Sequence, residues 1–201
     1  LLSTLPWEKI KGYTQKWLIG FSDVTALQSA FWTKLSWPSI HAPMPDSPYW
    51  GQHNNDDIVA LTSLLKQPQN MTGSLKTQEI QIVTPKNCRG WLFGGCLSVL
   101  CNLLGTPFFP KNLKGCFLFL EDINENPGRI LRNWEQLQQN NVFSQISGLI
   151  LGRFISETKE NIDLRRHLAL RTKLNTWSSD EIGHCSPNKP LVIGASAIID
   201  K

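Results

Sequence analysis

Short apolar runs alternate along this chain with stretches in which apolar residues recur every three or four positions. "WLIG" (17–20) is compact and bulky, and the turn Gly20-Phe21-Ser22-Asp23 follows it; from Val24 onward, Val24, Leu27, Phe31 and Leu35 keep helical spacing. The pattern predicts a strand, a turn and a helix packed on a sheet. It lapses in "PDSPYWGQHNNDD" (45–57), where Pro, Asn and Asp predict a surface loop or linker. "IVALTSLLK" (58–66) then reads as a short helix and "EIQIVT" (79–84) as a strand.

In "GWLFGGCLSVLCNLLGTPFFP" (90–110), Leu97, Leu100, Cys101 and Leu104 form a helical stripe, opened by Gly94-Gly95 and closed by Gly105 with Pro107 beyond. "GCFLFLED" (115–122) is a near-continuous apolar run ending in two acids, as a buried parallel strand reads. Leu131, Trp134 and Leu137 predict a helix after Pro127; "ISGLILGRF" is a further buried strand and "IDLRRHLALRTKL" a further helix. Strands alternating with helices predict an α/β fold with mainly parallel sheets and flanking helices.

Length and composition narrow the class. The 201 residues, 41% hydrophobic, suffice for one ordinary domain or two small ones. A net charge of +4 and a pI near 8.8 are mild, and no Lys or Arg run is dense enough to imply a nucleic acid or an anionic membrane as partner. The five cysteines form no CxxC pair, and their odd number speaks against a disulfide framework, so a reducing, cytoplasmic setting is the expectation. No apolar run approaches the roughly 20 residues of a membrane-spanning helix, and a soluble protein is expected. Leu1 begins no signal peptide, but the chain also lacks an initiator Met, so that absence carries little weight.

In open α/β sheets ligands gather outside the carboxyl ends of the strands, where this reading puts Ser22 and Glu121. Ser22 at a strand-to-helix turn fits two roles: an N-cap, or a nucleophile on an elbow whose backbone N–H faces a developing oxyanion. Glu121 is either a catalytic acid or a structural charge satisfied by backbone N–H groups or by Arg129. Of the four histidines, His184 lies in the loop "EIGHCSPNKP" and is placed to offer a free imidazole as base. His41 lines a site or packs; His53 and His167 read as solvated. None has metal-ligand spacing with a cysteine, so neither a metal nor a cofactor is expected. Gly94 and Gly95 would let a ligand or another backbone approach a helix N-terminus, where free N–H groups favour a carboxylate.

Taken together, "IGFSDVTAL", "HAPM", "GWLFGGCLSVLCNLLGTPFFP", "FLEDINENPGRI", "GLILGRF" and "GHCSPNKPLVIGASAII" resemble, in wording and order, the LD-carboxypeptidase family of serine peptidases. The resemblance runs from about Leu1 to Lys201. It implies that Ser22 is the nucleophile, Glu121 the triad acid and His184 the base, with the Asp23 backbone N–H as oxyanion donor and Gly94-Gly95 as candidates for lining the substrate pocket. It further implies a two-domain architecture: residues 1–45 as the remnant of an N-terminal α/β domain carrying the nucleophile, 46–78 as linker and short helix, and 79–201 as a C-terminal α/β domain carrying the acid and base. The implied substrate is a murein peptide from which a terminal D-alanine is released, and a homodimer is common in the family.

Four departures bear on this reading. The family usually begins with an α/β segment carrying an Arg-Gly-Gly motif, which has no counterpart from Leu1 onward, so a chain lacking most of the first domain is expected. Cys96 stands where an asparagine is common, removing an amide that both gives and accepts hydrogen bonds, and Ala42 stands where a glycine is common. "NTWSSDEIGH" is polar where relatives carry a short apolar strand into the histidine, which makes the position of His184 the least secure of the three. Two other functions fit the same motifs. One is a microcin-immunity type of peptidase, which would stack a linker aromatic such as Tyr49 or Trp50 on a base; the other is a non-catalytic binder of peptidoglycan fragments.

Overall fold

The computed structural model describes residues 1–48, 50–51, 55–66, 77–81, 83, 88–155 and 164–199. After a single turn of 3-10 helix at Leu2–Thr4, the elements are α1 Trp7–Lys11, β1 Ile19–Gly20, α2 Val24–Leu35, β2 Ser39–His41, α3 Asp56–Lys66 and β3 Gln78–Gln81. They continue with β4 Cys88–Cys96, α4 Leu97–Leu103, β5 Cys116–Ile123, α5 Pro127–Gln139, β6 Gly148–Ile155, α6 Leu164–Ala169, β7 Thr176–Ser178, β8 Leu191–Ile193 and β9 Ser196–Ile199. Among the described residues no helix is long and apolar enough to cross a membrane.

The larger sheet runs β3-β7-β6-β5-β4-β9, and the smaller runs β1-β2-β8. β7, β6, β5 and β4 are mutually parallel, and the outer strands β3 and β9 are antiparallel to their neighbours. The fold is therefore α/β with a mainly parallel sheet and flanking helices. Its centre is β5, in which Cys116, Phe117, Leu118, Phe119 and Leu120 are all fully buried; a strand covered on both faces needs an unbroken apolar run, and "CFLFL" supplies it. On one side lies α5, started by Pro127 in its first turn and by the Asn126 side chain, which accepts from the Arg129 N–H at 2.9 Å. Its Trp134 is wholly buried and packs on Phe143 with ring centroids 4.5 Å apart.

Two expectations shift here. The helical stripe Val24, Leu27, Phe31 and Leu35 of α2 is only half-buried, whereas Thr25, Gln28, Ser29 and Ala30 face inward. Polar members of that face bond to neighbouring backbone: Gln28 Nε2 donates to the Gly20 and Ile40 carbonyls at 3.0 and 2.9 Å, and Ser29 Oγ donates to the Phe108 carbonyl at 2.7 Å. The period of the helix was legible, but not the face. The polar stretch before His184 does form a strand: all of β7 is buried, it pairs in parallel with β6, and Trp177 packs edge to face on Phe117. Smaller differences are that α6 is shorter than "IDLRRHLALRTKL" and that β3 ends at Gln81, with Ile82 and Thr84 outside the described residues.

The run "LVIGASAII" joins the two sheets. β8 pairs antiparallel with β2 and β9 antiparallel with β4, so consecutive strands of one segment enter different sheets. Gly194, between them, has φ +88°, and a Cβ there would collide with the Trp32 ring. A smaller core of Ile40, Ala42, Leu61, Leu64, Val192 and Ala195 fills the space under this joint.

Trp134→Ala is expected to lower unfolding stability by about 3–5 kcal/mol, and Leu170→Ala, whose side chain is 66% exposed, by less than about 0.5 kcal/mol. Urea unfolding of the two variants beside the parent checks this; equal losses would contradict the placement of the core.

Candidate active site

Glu121 sits at the carboxyl end of β5 and is completely buried. The β5–β6 pairing steps from Leu120–Leu151 to Asp122–Phe154, so β6 carries an extra residue opposite Glu121. Such an irregularity re-aims side chains at a strand end. It also lets the Arg153 N–H donate to the Ile182 carbonyl at 3.0 Å, which draws the loop after β7 over β5. Gly183, with φ +114°, then passes so close that a Cβ would lie 2.8 Å from Glu121 Oε2. Only glycine combines that φ with that approach. The next residue, His184, is 7% exposed and places Nδ1 2.7 Å from Glu121 Oε2. Arg129, the alternative partner for Glu121, pairs with Glu125 at 3.2 Å instead.

Ser22 lies between β1 and α2 with φ +59°, a left-handed conformation that costs a non-glycine residue of order 1–3 kcal/mol. The N-cap position of α2 belongs to Asp23, without a side-chain capping bond, and the Ser22 hydroxyl has no hydrogen-bond partner among the described residues. The tight turn is closed by backbone: the Val24 N–H donates to the Phe21 carbonyl and the Thr25 N–H to the Ser22 carbonyl, at 3.2 and 2.9 Å. The Asp23 N–H is likewise bonded to no described acceptor.

Phe21 brings the two parts together. Its ring packs edge to face on His184 with centroids 4.8 Å apart, so the residue preceding Ser22 touches the imidazole that meets Glu121. On the far side, the Cys96 N–H donates to Thr25 Oγ1 at 3.2 Å, which pins the first turn of α2 to the end of β4. Cys96 Sγ donates to Asp122 Oδ1 at 3.4 Å, and Asp122 follows Glu121 in sequence. A closed circuit of contacts therefore runs from Ser22 through Thr25, Cys96 and Asp122 to Glu121, and back through His184 and Phe21.

The two family models of the LD-carboxypeptidases divide this circuit between them: the one described as the N-terminal domain matches residues 1–42 and the one described as the C-terminal domain matches residues 89–199. The chain belongs to the LD-carboxypeptidase family. A protein of Bacillus subtilis named as a probable murein peptide carboxypeptidase is 31% identical over 195 residues, covering 90% of this chain and 59% of that protein. The microcin C7 self-immunity protein MccF of Escherichia coli is 28% identical over 165 residues, covering 69% of this chain and 48% of that protein. The crystal structure of muramoyltetrapeptide carboxypeptidase from Oxalobacter formigenes superposes with a TM-score of 0.76 at 25% identity, over 98% of this chain and 68% of that one. The chain thus spans about half to two thirds of the length of these relatives.

Gly94 and Gly95 are the last residues of β4 before Cys96, which is the N-cap of α4, so they lie just ahead of that helix as expected. Both are buried; a Cβ on Gly94 would run into the Phe119 carbonyl oxygen, and one on Gly95 would lie 2.5 Å from Thr25 Oγ1. The N-terminus of α4 is already occupied by a carboxylate of the protein itself, since the Ser98 N–H donates to Asp122 Oδ2 at 2.9 Å. The glycines account for close packing of β5 and α2 on β4. A surface cleft of about 430 Å³, lined by Trp32, Lys34, Phe109 and Lys111 among others, lies at the opposite end of α2 from Ser22.

Burial pushes the Glu121 carboxyl above its ordinary range, and the hydrogen bond from His184 opposes that rise. Burial also raises Asp122, against the pull of the Ser98 N–H. Cys96 is pushed up by burial and then by the neighbouring Glu121, so its thiol stays protonated. Sequence reading left His41 undecided and gave no role to Thr25. His41 is fully buried, its ring packing between Phe21 and Phe119 at 6.3 and 5.1 Å, and neither nitrogen has a hydrogen-bond partner among the described residues. Its pKa is lowered to about 3, first by burial and then by the charge of His184.

The unfolded chain protonates His41 near pH 6.5 while the fold holds it neutral down to about 3. The stability margin is present above pH 6.5 and is lost as pH falls toward 3, with a slope of up to about 1.4 kcal/mol per pH unit. The difference in unfolding free energy between the parent and His41→Phe should accordingly move in favour of the variant between pH 7 and pH 4. A difference independent of pH would contradict the neutral, buried imidazole.

Proposed function

We propose that the protein is a serine-type LD-carboxypeptidase that releases a terminal D-alanine from a murein tetrapeptide, with Ser22 as nucleophile, His184 as base and Glu121 as the acid that orients it. In this reading residues 1–45 supply the nucleophile and residues 79–201 the acid and base. The observation that carries it is the 2.7 Å contact between His184 Nδ1 and Glu121 Oε2, made beside the turn that holds Ser22.

The chemistry follows from that contact. With the Nδ1 proton donated to the carboxylate, Nε2 is the nitrogen that would take the Ser22 proton as the hydroxyl attacks the scissile carbonyl. A buried carboxylate is poorly solvated, so an imidazolium forming beside it relieves a cost that an exposed acid would not carry. The left-handed turn holds the Ser22 hydroxyl clear of the capping bond that would otherwise occupy it, and the Asp23 N–H is the donor assigned to the oxyanion. His184 then returns the proton to the leaving amine of D-alanine, and water repeats the sequence on the acyl-enzyme.

The microcin-immunity reading would need an aromatic free to stack on a base. Trp50 packs against the smaller core and so has a covering role, and Tyr49 lies outside the described residues. The paired His184 and Glu121 likewise favour a working enzyme over a binder.

D-alanine release from murein tetrapeptide, assayed on the full-length protein, should fall by at least about a thousandfold in Ser22→Ala, with unfolding stability changed by less than about 1 kcal/mol because that hydroxyl has no described partner to lose. Normal turnover by the variant would end the assignment. Competition by a nucleotide against the tetrapeptide would turn it toward the peptidyl-nucleotide substrate instead.

A further inference from the structure

The loop that presents His184 has no regular secondary structure, yet the imidazole must stay within hydrogen-bond reach of Glu121. Part of its order is internal: the Lys189 N–H donates to the Glu181 carbonyl and the Cys185 N–H to the Gly183 carbonyl, both at 2.8 Å. The Gly183 N–H donates to Asn188 Oδ1 at 3.2 Å, so the residue immediately before His184 hangs on the Asn188 side chain. Asn188 is fully buried, and its own backbone N–H donates to Asp57 Oδ2 at 2.7 Å, across 131 residues of sequence. Asp57 belongs to the first turn of α3 and is 5% exposed, an unusual position for a carboxylate unless hydrogen bonds or a cation compensate it. Lys189 Nζ stands 4.0 Å from its other oxygen.

We propose that Asp57 is a positioning residue for the reaction: through Asn188 and Gly183 it fixes the loop so that His184 Nδ1 meets Glu121. The inference rests on the reading of Ser22, Glu121 and His184 given above, but the relay Asp57–Asn188–Gly183 lies outside those residues. A carboxylate suits the place because it only accepts, taking the Asn188 N–H on one oxygen and facing the Lys189 ammonium with the other. The amide oxygen of an asparagine would still accept the Asn188 N–H, whereas alanine would leave that buried donor unpaired. The loop would then relax, and small displacements of a catalytic base are costly to turnover.

The test uses the full-length protein with two readouts. The first is the low-field proton resonance of the His184 Nδ1–H bonded to Glu121, which needs no substrate. The second is D-alanine release from murein tetrapeptide, resolved into kcat and KM. In Asp57→Ala the resonance should broaden or vanish and kcat fall about 10- to 100-fold, with KM changed less than about twofold; Asp57→Asn should restore both. An unchanged resonance and kcat in folded Asp57→Ala overturn the proposal. Should Asp57→Ala fail to fold, Asn188→Ala removes the acceptor of the Gly183 N–H while keeping the backbone bond to Asp57, and an unchanged resonance there overturns it equally. If the resonance is lost in Asp57→Ala while the parent itself releases no D-alanine, the relay stands and the assigned reaction falls.

Discussion

Everything near the site is arranged around one buried carboxylate. Glu121 lies near the carboxyl end of the most deeply buried strand of the sheet, where an uncompensated charge would cost several kcal/mol. His184 supplies its observed side-chain hydrogen bond at 2.7 Å, and the approach of that loop is what demands glycine at position 183. The irregular β5–β6 pairing, the Arg153–Ile182 bond and the relay from Asp57 each serve to bring the loop to that oxygen. A structural ion pair would be satisfied by the same contact. What distinguishes this one is its neighbour, a strained serine turn whose hydroxyl is not spent on capping the helix it precedes.

The second requirement is that two separate pieces of sheet hold a fixed distance. Ser22 follows a strand of the smaller sheet and Glu121 lies in a strand of the larger, so any sliding between sheets would separate them. The fold resists this at two places. β8 and β9 stitch one sheet to the other through Gly194, and the Cys96–Thr25 bond ties the helix that follows Ser22 to the end of β4. The tie is independent of the side chain at position 96, because it is the backbone N–H that donates. The Cys96 thiol itself donates to Asp122.

Much of this could be read from the chain because apolar runs and helical spacing follow directly from burial. "CFLFLED" could hardly be anything but a covered strand with acids at its end, and "WLIG" followed by the Val24 stripe required a strand-turn-helix unit. The misreadings have a common cause. Thr25, Gln28 and Ser29 face inward because backbone groups of other segments meet them, and Thr176 to Ser178 form a buried strand although the stretch "NTWSSDEIGH" reads as polar. Hydrogen bonds to distant partners are invisible in local hydropathy. The paired glycines stand at the entrance of α4, as the spacing implies, but what they accommodate, Phe119 and Thr25, is remote in sequence. Asp57 was passed over inside a stretch whose composition resembles a linker.

The central claim is that Ser22, His184 and Glu121 act as one unit. Its most direct measurement is reaction of the full-length protein with a serine-directed fluorophosphonate, with the adduct mapped by mass spectrometry, in the parent and in His184→Gln. The account predicts an adduct on the peptide containing Ser22 that forms in the parent and not in the variant. An adduct on another residue, or one that forms on Ser22 equally fast without His184, would contradict it.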